Sequence, residues 1–458
     1  MLKKKNIHTF FIGFLIFHLF IWTTIPLVSN INLPLDVIEA LAWGSNLSWG
    51  WDKHPPLSVF FPEIFFKIFG NQDWAYYLLS QIFVVLGFIG VWKLSKKFFK
   101  NKFYSLISVL LLESIYFYNF TTPEFNVNVC QIPFWSFTVL YCWKSIEKNK
   151  TQDWILFGVF AGLGFLSKYL FIYLLISITI FFLYKIYKEK KFNFKYLIPG
   201  TVFFVIIIPH LIWLYSNNFI TISYGLDRTE LDTINFLNYI LNPLLFTIKQ
   251  LGILIPFTLL LLTIVSKFKI NIDFKDKKML FLFFITIVPF FLIFLTSFIM
   301  GAKIRTMWMT PFYLFIGVFF VYIFESKINL KKIKNFLSVF LILFIFSPAL
   351  YLYISISKSD KRTDYPGKEI AYLVKSKWDQ NFNNEIDIIV GDEWFGGNLS
   401  YHLNSRPKWF NKLEKKQINK ISSIEGVVYV GNPEVLKKIC PGVYGTIKPI
   451  GICMIGSK

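Results

Sequence analysis

Residues 33–60, "LPLDVIEALAWGSNLSWGWDKHPPLSVF", gather ionisable side chains between two strongly apolar stretches. Asp36 and Glu39 stand three apart, a spacing that sets both carboxylates on one face of a helix. Asp36 follows Pro34 and Leu35, a helix start at which free amides and the helix dipole favour an acid. Such a face can look into a cavity at the membrane boundary or simply into water. Further on, "WDKHPPL" places Lys53 and His54 directly before Pro55 and Pro56. The prolines fix the backbone and remove two donors. Cationic groups on a stiff segment near a bilayer are well placed to hold a phosphate headgroup, and the same segment serves equally as a turn into a second amphipathic helix.

The chain around this loop is apolar. Of its 458 residues 55% are hydrophobic and 16% charged, against about 25% charged in an ordinary soluble domain. Runs of about 18 to 22 apolar residues are long enough to cross a bilayer as helices. About eleven are read, near 8–27, 74–94, 103–120, 127–143, 153–167, 169–187, 197–216, 246–266, 279–299, 307–325 and 336–355. The expected fold class is an all-α polytopic membrane protein with a small C-terminal α/β domain. The net charge of +21 comes from lysine clusters between the runs. That is the positive-inside pattern and not a nucleic-acid footprint. It places the N-terminus in the cytoplasm and loops 28–73 and 217–245 outside. "MLKKK" and the run after it resemble a signal peptide, but the run is long and lacks a small-residue cleavage site, so it is read as an anchor.

Within loop 28–73, Leu35, Ile38, Leu41 and Ala42 fall at helical spacing, as do Phe61, Ile64, Phe65 and Ile68, which predicts two short helices lying at the membrane surface. Loop 217–245 carries Asp227, Arg228, Glu230 and Asp232. The division read is a membrane domain over 1–355 and a soluble tail over 356–458. In the tail, "EIDIIVGDEWFGGNLSYHL" reads as strand, turn and helix, and "GVVYVG" followed by "NPEVLKKI" as a second strand and helix. Cys130 and Cys142 read as small buried apolar residues. Cys440 and Cys453 can pair if the tail is extracytoplasmic, and the sequence leaves pairing and non-pairing equally open. Glu113 lies within an apolar run, where an acid is either functional or paired inside the protein. His210, beside Trp213, reads as structural.

The first-loop acid with the later His54-Pro55-Pro56-Leu57 resembles the GT-C type membrane glycosyltransferases that include protein O-mannosyltransferases and the lipid A aminoarabinose transferase, and most of all the bacterial family 39-type members. The resemblance extends into "TTPEFNVNVCQIPFWSF" (121–137), "GLGFLSKYLFIYLL" (162–175), "HLIWLYSNNFITISY" (210–224) and "GAKIRTMWMTPFYLFIG" (301–317). It implies inverting transfer of a sugar from a polyprenyl-phosphate donor to an envelope acceptor (lipid A, another glycolipid or a glycan) at the periplasmic face of the bacterial inner membrane. Asp36 then takes the place of the catalytic base, and Glu124 that of a second acid orienting acceptor or base. Many relatives have two adjacent acids where this chain has Val37, so Glu39 is a neighbour of open role. An acceptor hydroxyl must lose its proton as it attacks, and the departing lipid phosphate needs cations; Lys53, His54, Lys168, Lys303 and Arg305 are the candidates. Lys168 also reads as an interfacial snorkelling residue. No metal-ligand spacing and no Gly-rich phosphate loop is present: the sequence requires no cofactor and leaves a divalent metal open. The rival readings are a lipid-linked sugar transporter or flippase, and an envelope assembly scaffold docking through its tail.

Overall fold

The computed structural model describes residues 6–230, 235–270, 272–412 and 425–458. Asp232 and the basic residues 1–5 lie outside the described residues. The membrane region is built from α1 (Ile7–Ser29), α2 (Leu35–Gly44), α3 (Leu57–Phe69), α4 (Asp73–Phe98), α5 (Lys102–Leu110), α6 (Val127–Lys148), α7 (Thr151–Ser167), α8 (Ile172–Glu189), α9 (Leu197–Ser216), α10 (Ile220–Asp227), α11 (Asn238–Ile253), α12 (Ile255–Leu262), α13 (Lys277–Met300), α14 (Ile316–Ile323) and α15 (Ile333–Ser357).

Each of the eleven apolar runs coincides with helical structure. Among the described residues seven helices are long and apolar enough to cross a membrane, and Thr306–Tyr313 with Ile316–Ile323, bent by 55°, is a broken span or a re-entrant pair that brings the number to at most eight. The remaining three runs differ for identifiable reasons. Run 103–120 is α5 followed by tight turns at Leu111–Ser114 and Tyr116–Tyr118. Run 153–167 becomes the 17-residue α7. Run 127–143 becomes α6, which carries Asn128, Gln131, Ser136 and Thr138, all buried. A helix this polar sits inside the bundle rather than against lipid. It approaches α4 closely: a Cβ on Gly87 would come within 2.3 Å of Ile132, the small-residue contact typical of membrane helices. Glu113 meets His18 of α1 at 3.0 Å with both side chains fully buried, so its partner is internal.

Both first-loop helices form, yet α2 does not present a solvated face. Val37 through Gly44 are all buried, because a second layer covers the helix. That layer is the tail: α16 (Gly367–Asp379), β1 (Ile386–Val390), α17 (Phe395–His402), β2 (Lys408–Phe410), β3 (Gly426–Gly431), a short helix Pro433–Ile439, β4 (Val443–Ile447) and β5 (Ile450–Ile455). Its five-stranded sheet runs β2-β1-β3-β5-β4. β1 pairs in parallel with β2 and β3, while β5 is antiparallel to β3 and β4. The strand and helix expected from "EIDIIVGDEWFGGNLSYHL" are β1 and α17; β2, β4 and β5 were not expected. Cys440 and Cys453 form a disulfide, whereas Cys130 and Cys142 are buried and free.

The tail is fastened to the first loop by polar contacts around an apolar seam. Gly397 of α17 lies against α2, where a Cβ would come within 3.0 Å of Ile38. The Arg406 guanidinium donates to Glu63 of α3 at 2.9 Å and to the Leu41 carbonyl at 2.6 Å. Trp409 N–H donates to Ser45 Oγ at 2.7 Å, and Tyr401 donates to Asp73 at 2.6 Å.

Candidate active site

Pro34, in extended conformation, ends the loop and starts α2, so Asp36 falls in the first turn. The turn before α6 brings Glu124 to the same place. Thr122 fixes that turn by accepting from Gln81 Nε2 at 3.2 Å and donating to the Asn119 carbonyl at 2.7 Å. Asn126 then caps α6, its side-chain oxygen accepting from Asn128 N at 2.9 Å. The result is direct: Asp36 N–H donates to Glu124 Oε1 at 3.0 Å, across 88 residues of sequence. The Asn126 side chain also bonds the Asp36 carboxylate.

Lys168 interrupts two helices in extended conformation, which frees its side chain to turn inward. It is buried, donates to Asn128 Oδ1 at 2.6 Å and lies 5.2 Å above the Trp308 ring. Arg305, three residues before Trp308, is near enough to Lys168 to repel it. The snorkelling alternative for Lys168 therefore does not fit a buried, hydrogen-bonded ammonium.

Electrostatics separates the two acids. Burial raises both, but Asp36 is offset by Asn126 and by three cations, Lys53, Lys168 and Arg362. Glu124 is pushed up to about 8 by burial and by the charge of Asp36, with only the Asp36 amide and Arg362 opposing. Burial leaves Asp36 above the ordinary carboxylate value as well, but of the two Glu124 is the one that the other acid's charge raises further, so Asp36, beside the cations, ionises first. Lys168 is lowered to about 7 by burial, with Asp36 opposing and Arg305 adding to the shift.

One turn further along α2, Glu39 accepts from the Lys53 ammonium at 2.6 Å, and Lys53 also bonds Glu393 of the tail. Burial, and then Glu393, push Glu39 up to about 8. Lys53 is thus already shared by two carboxylates. His54 packs edge-on against Trp43 and Tyr224. Burial and the neighbouring Lys168, Lys53 and Arg228 hold its imidazole at about 3, so the ring is neutral near pH 7 and not the cation expected from sequence. Lys303 is in an exposed ion pair with Glu230, 2.9 Å to each oxygen.

Sequence reading missed Asn126, Asn128, Trp308, Arg362 and Glu393. The asparagines were visible in "TTPEFNVN" as polar residues at the mouth of an apolar run. Arg362 and Glu393 come from the tail, and nothing local points from them to α2. His210 is structural in the way expected: Nδ1 meets the Trp49 carbonyl at 2.6 Å and Nε2 the Tyr169 hydroxyl at 2.7 Å, tying α9 to the first loop. Among the described residues no three His, Cys, Asp or Glu side chains converge as metal ligands would.

The arrangement invites comparison with known proteins. The crystal structure of ArnT from Cupriavidus metallidurans bound to undecaprenyl phosphate matches with a TM-score of 0.65 at 11% identity, covering 97% of each chain. The chain has the GT-C fold. The apo ArnT structure matches this GT-C chain with a TM-score of 0.61 at 9% identity, covering 96% of it and 98% of the ArnT chain. The family described as dolichyl-phosphate-mannose-protein mannosyltransferase matches residues 53–213, a stretch that contains His54, Glu124 and Lys168. The lipopolysaccharide core galacturonosyltransferase RgtA of Rhizobium johnstonii (strain DSM 114642 / LMG 32736 / 3841) is 21% identical over 188 residues, 41% of this chain. The match spans 38% of that curated relative's length. The resemblance to membrane glycosyltransferases read from the first loop and the multi-pass architecture thus stand together in one GT-C chain.

Proposed function

We propose that this chain is an inverting glycosyltransferase that takes a sugar from a polyprenyl phosphate and passes it to a lipid or glycan acceptor of the bacterial envelope, at the periplasmic face of the inner membrane. The observation that carries the reading is the Asp36–Glu124 pair, joined at 3.0 Å, with Lys168 close enough to favour the charge of Asp36 and Arg305 in turn close to Lys168. The acceptor hydroxyl attacks the anomeric carbon from the face opposite the phosphate. Its proton passes to the Asp36 carboxylate, and the bond from the anomeric carbon to the phosphate oxygen breaks with its electron pair going to the phosphate. Lys168 and Arg305 receive that charge, in a buried setting where each cation counts for more than in water. Glu124, the acid of the pair that keeps its proton longer, fixes the start of α2 through the Asp36 amide. Glu39 and Lys53 join this machinery from the next turn by linking it to the tail.

The facing of the site is supported by two observations. The basic segments between spans fall on the opposite side from the first loop, and the tail contains the Cys440–Cys453 disulfide, a bond of oxidising compartments such as the periplasm. On this reading residues 356–458 form a periplasmic domain covering the site of the membrane domain 1–355.

The test is transfer by the purified full-length protein from an undecaprenyl-phosphate sugar, with release of free undecaprenyl phosphate as the readout. Asp36→Asn should lower kcat by about 10²-fold or more; full activity in that variant would remove Asp36 as the base. A chain that only moved the lipid-linked sugar across the membrane would release no free lipid phosphate.

A further inference from the structure

We propose that the cleft between the first loop, the end of α9 and edge strand β2 is a saccharide subsite, which holds a sugar of the acceptor next to the one being glycosylated. The inference rests on the transferase reading above and names where that acceptor is gripped. The cleft encloses about 280 Å³, close to the lower end of small-ligand sites.

Its walls are indoles. Trp43 and Trp51 stack with ring centres 5.9 Å apart and planes 12° from parallel. Trp213 stands on another side, stacked on His210 at 5.9 Å, whose two ring nitrogens are both engaged, so the indole has a braced support. Gly50 makes that wall possible: a Cβ there would come within 2.4 Å of the Trp213 ring. Trp409, from the tail, closes the space, held in place by its bonds to Ser45 and the Gly391 carbonyl.

The rim is polar. Asn46 and Asn411 line the cleft, are exposed, and their side-chain amides make no hydrogen bond among the described residues. Each offers a donor pair and an acceptor. A sugar ring has flat faces of C–H groups and an edge of hydroxyls, and flat aromatic faces with amides at the edge are its complement. A lipid tail would leave the amides unpaired. An anionic headgroup would find no Lys or Arg in the lining, where the one charged residue is Asp52. The ring held there is accordingly neutral or amino-bearing and not an acidic sugar.

The cleft and the acid pair share a helix. Asp36 and Trp43 lie seven residues apart on α2, about 10 Å along its axis, within the reach of a short oligosaccharide. Between them Lys53 bonds Glu39 and lies 5.7 Å above the Trp43 ring, so the two sites are contiguous.

The experiment titrates the purified full-length protein, in nanodiscs, with chitobiose, lactose and deacylated lipopolysaccharide core oligosaccharide, following tryptophan emission. At least one probe should give a saturable shift at millimolar concentration or below, weakened tenfold or more by joint Asn46→Ala and Asn411→Ala substitution; glucuronic acid should give a smaller shift. Both asparagines are exposed, and an unchanged melting temperature shows that the double variant folds. Absence of a saturable shift with every probe overturns the proposal, as does equal binding by the double variant. A parallel assay uses deletion-strain envelope extract as acceptor, where the double variant should raise the acceptor KM at least tenfold. If wild-type protein transfers sugar and that KM is unmoved, the subsite falls and the transferase reading stands. If no transfer occurs but asparagine-dependent binding does, the cleft stands as a saccharide site, while the transferase reading falls and takes the acceptor role of the cleft with it.

Discussion

At the scale of single residues, the proposed mechanism rests on two acids made unequal by their surroundings. Glu124 resembles an amide more than a carboxylate near neutral pH, because burial and Asp36 hold it at about 8. Glu124→Gln keeps an acceptor for the Asp36 amide and should retain activity within about tenfold, whereas Glu124→Ala should lose about 10²-fold, measured as kcat with a saturating donor. Lys168 gives a pH signature. On the proposed mechanism its charge is needed when the phosphate departs, and with the group at about 7 that charge is lost as pH rises. kcat/KM should therefore fall above about pH 7, and Lys168→Arg, which stays charged, should move the falling limb upward by a unit or more. An unchanged limb would place the loss elsewhere. Asp36 and Glu124 were legible because the resemblance ran through "LPLDVIEAL" and "TTPEFNVN". The state of His54 was not, since burial and the cations around it arise only when three distant segments meet.

At the scale of elements, α2 is the part most exposed to error in a reading of sequence. Its apolar spacing predicted a helix correctly but could not show that both sides would be covered, since the cover comes from α17, more than 350 residues later. The seam between them is tight and should be sensitive to volume. Gly397→Val would drive a side chain into Ile38 and Ala42, separating α17 from α2 without altering any charge. It should lower the melting temperature of the detergent-solubilised protein and slow transfer together. Arg406→Ala should act through polarity instead. It leaves Glu63 buried without its partner and removes one of the two donors to the Leu41 carbonyl, at a cost of about 3 kcal/mol. Limited proteolysis should then release the tail at lower denaturant than in the wild type. Neither seam contact has a local sequence signal; both are products of chain crossing.

At the scale of the whole molecule, spans, basic segments and the tail's first strand and helix were readable because hydropathy and charge are local properties. The broken run at 103–120 and the polar helix α6 were read less well. Both lie in the bundle interior, where neighbouring helices satisfy groups that lipid would not. The proposed orientation has a direct check in whole cells with a permeabilised outer membrane. A membrane-impermeant maleimide should label the half-buried Cys440 only after reduction, while the buried Cys130 and Cys142 stay unlabelled. Labelling confined to lysed cells would put the tail on the cytoplasmic side.

The bond from Lys53 to Glu393 joins residues 340 apart, and this sets a timetable for synthesis. At 5–20 residues per second the ribosome needs roughly 20 to 70 s to make the intervening chain. During that interval the first loop has no cover: Asp36, Glu39 and Lys53 face water, and the acid pair lacks the burial that separates its two members. On the proposed mechanism the first loop therefore reaches its working arrangement only after the tail has packed on it, when Glu393 joins Glu39 in holding Lys53.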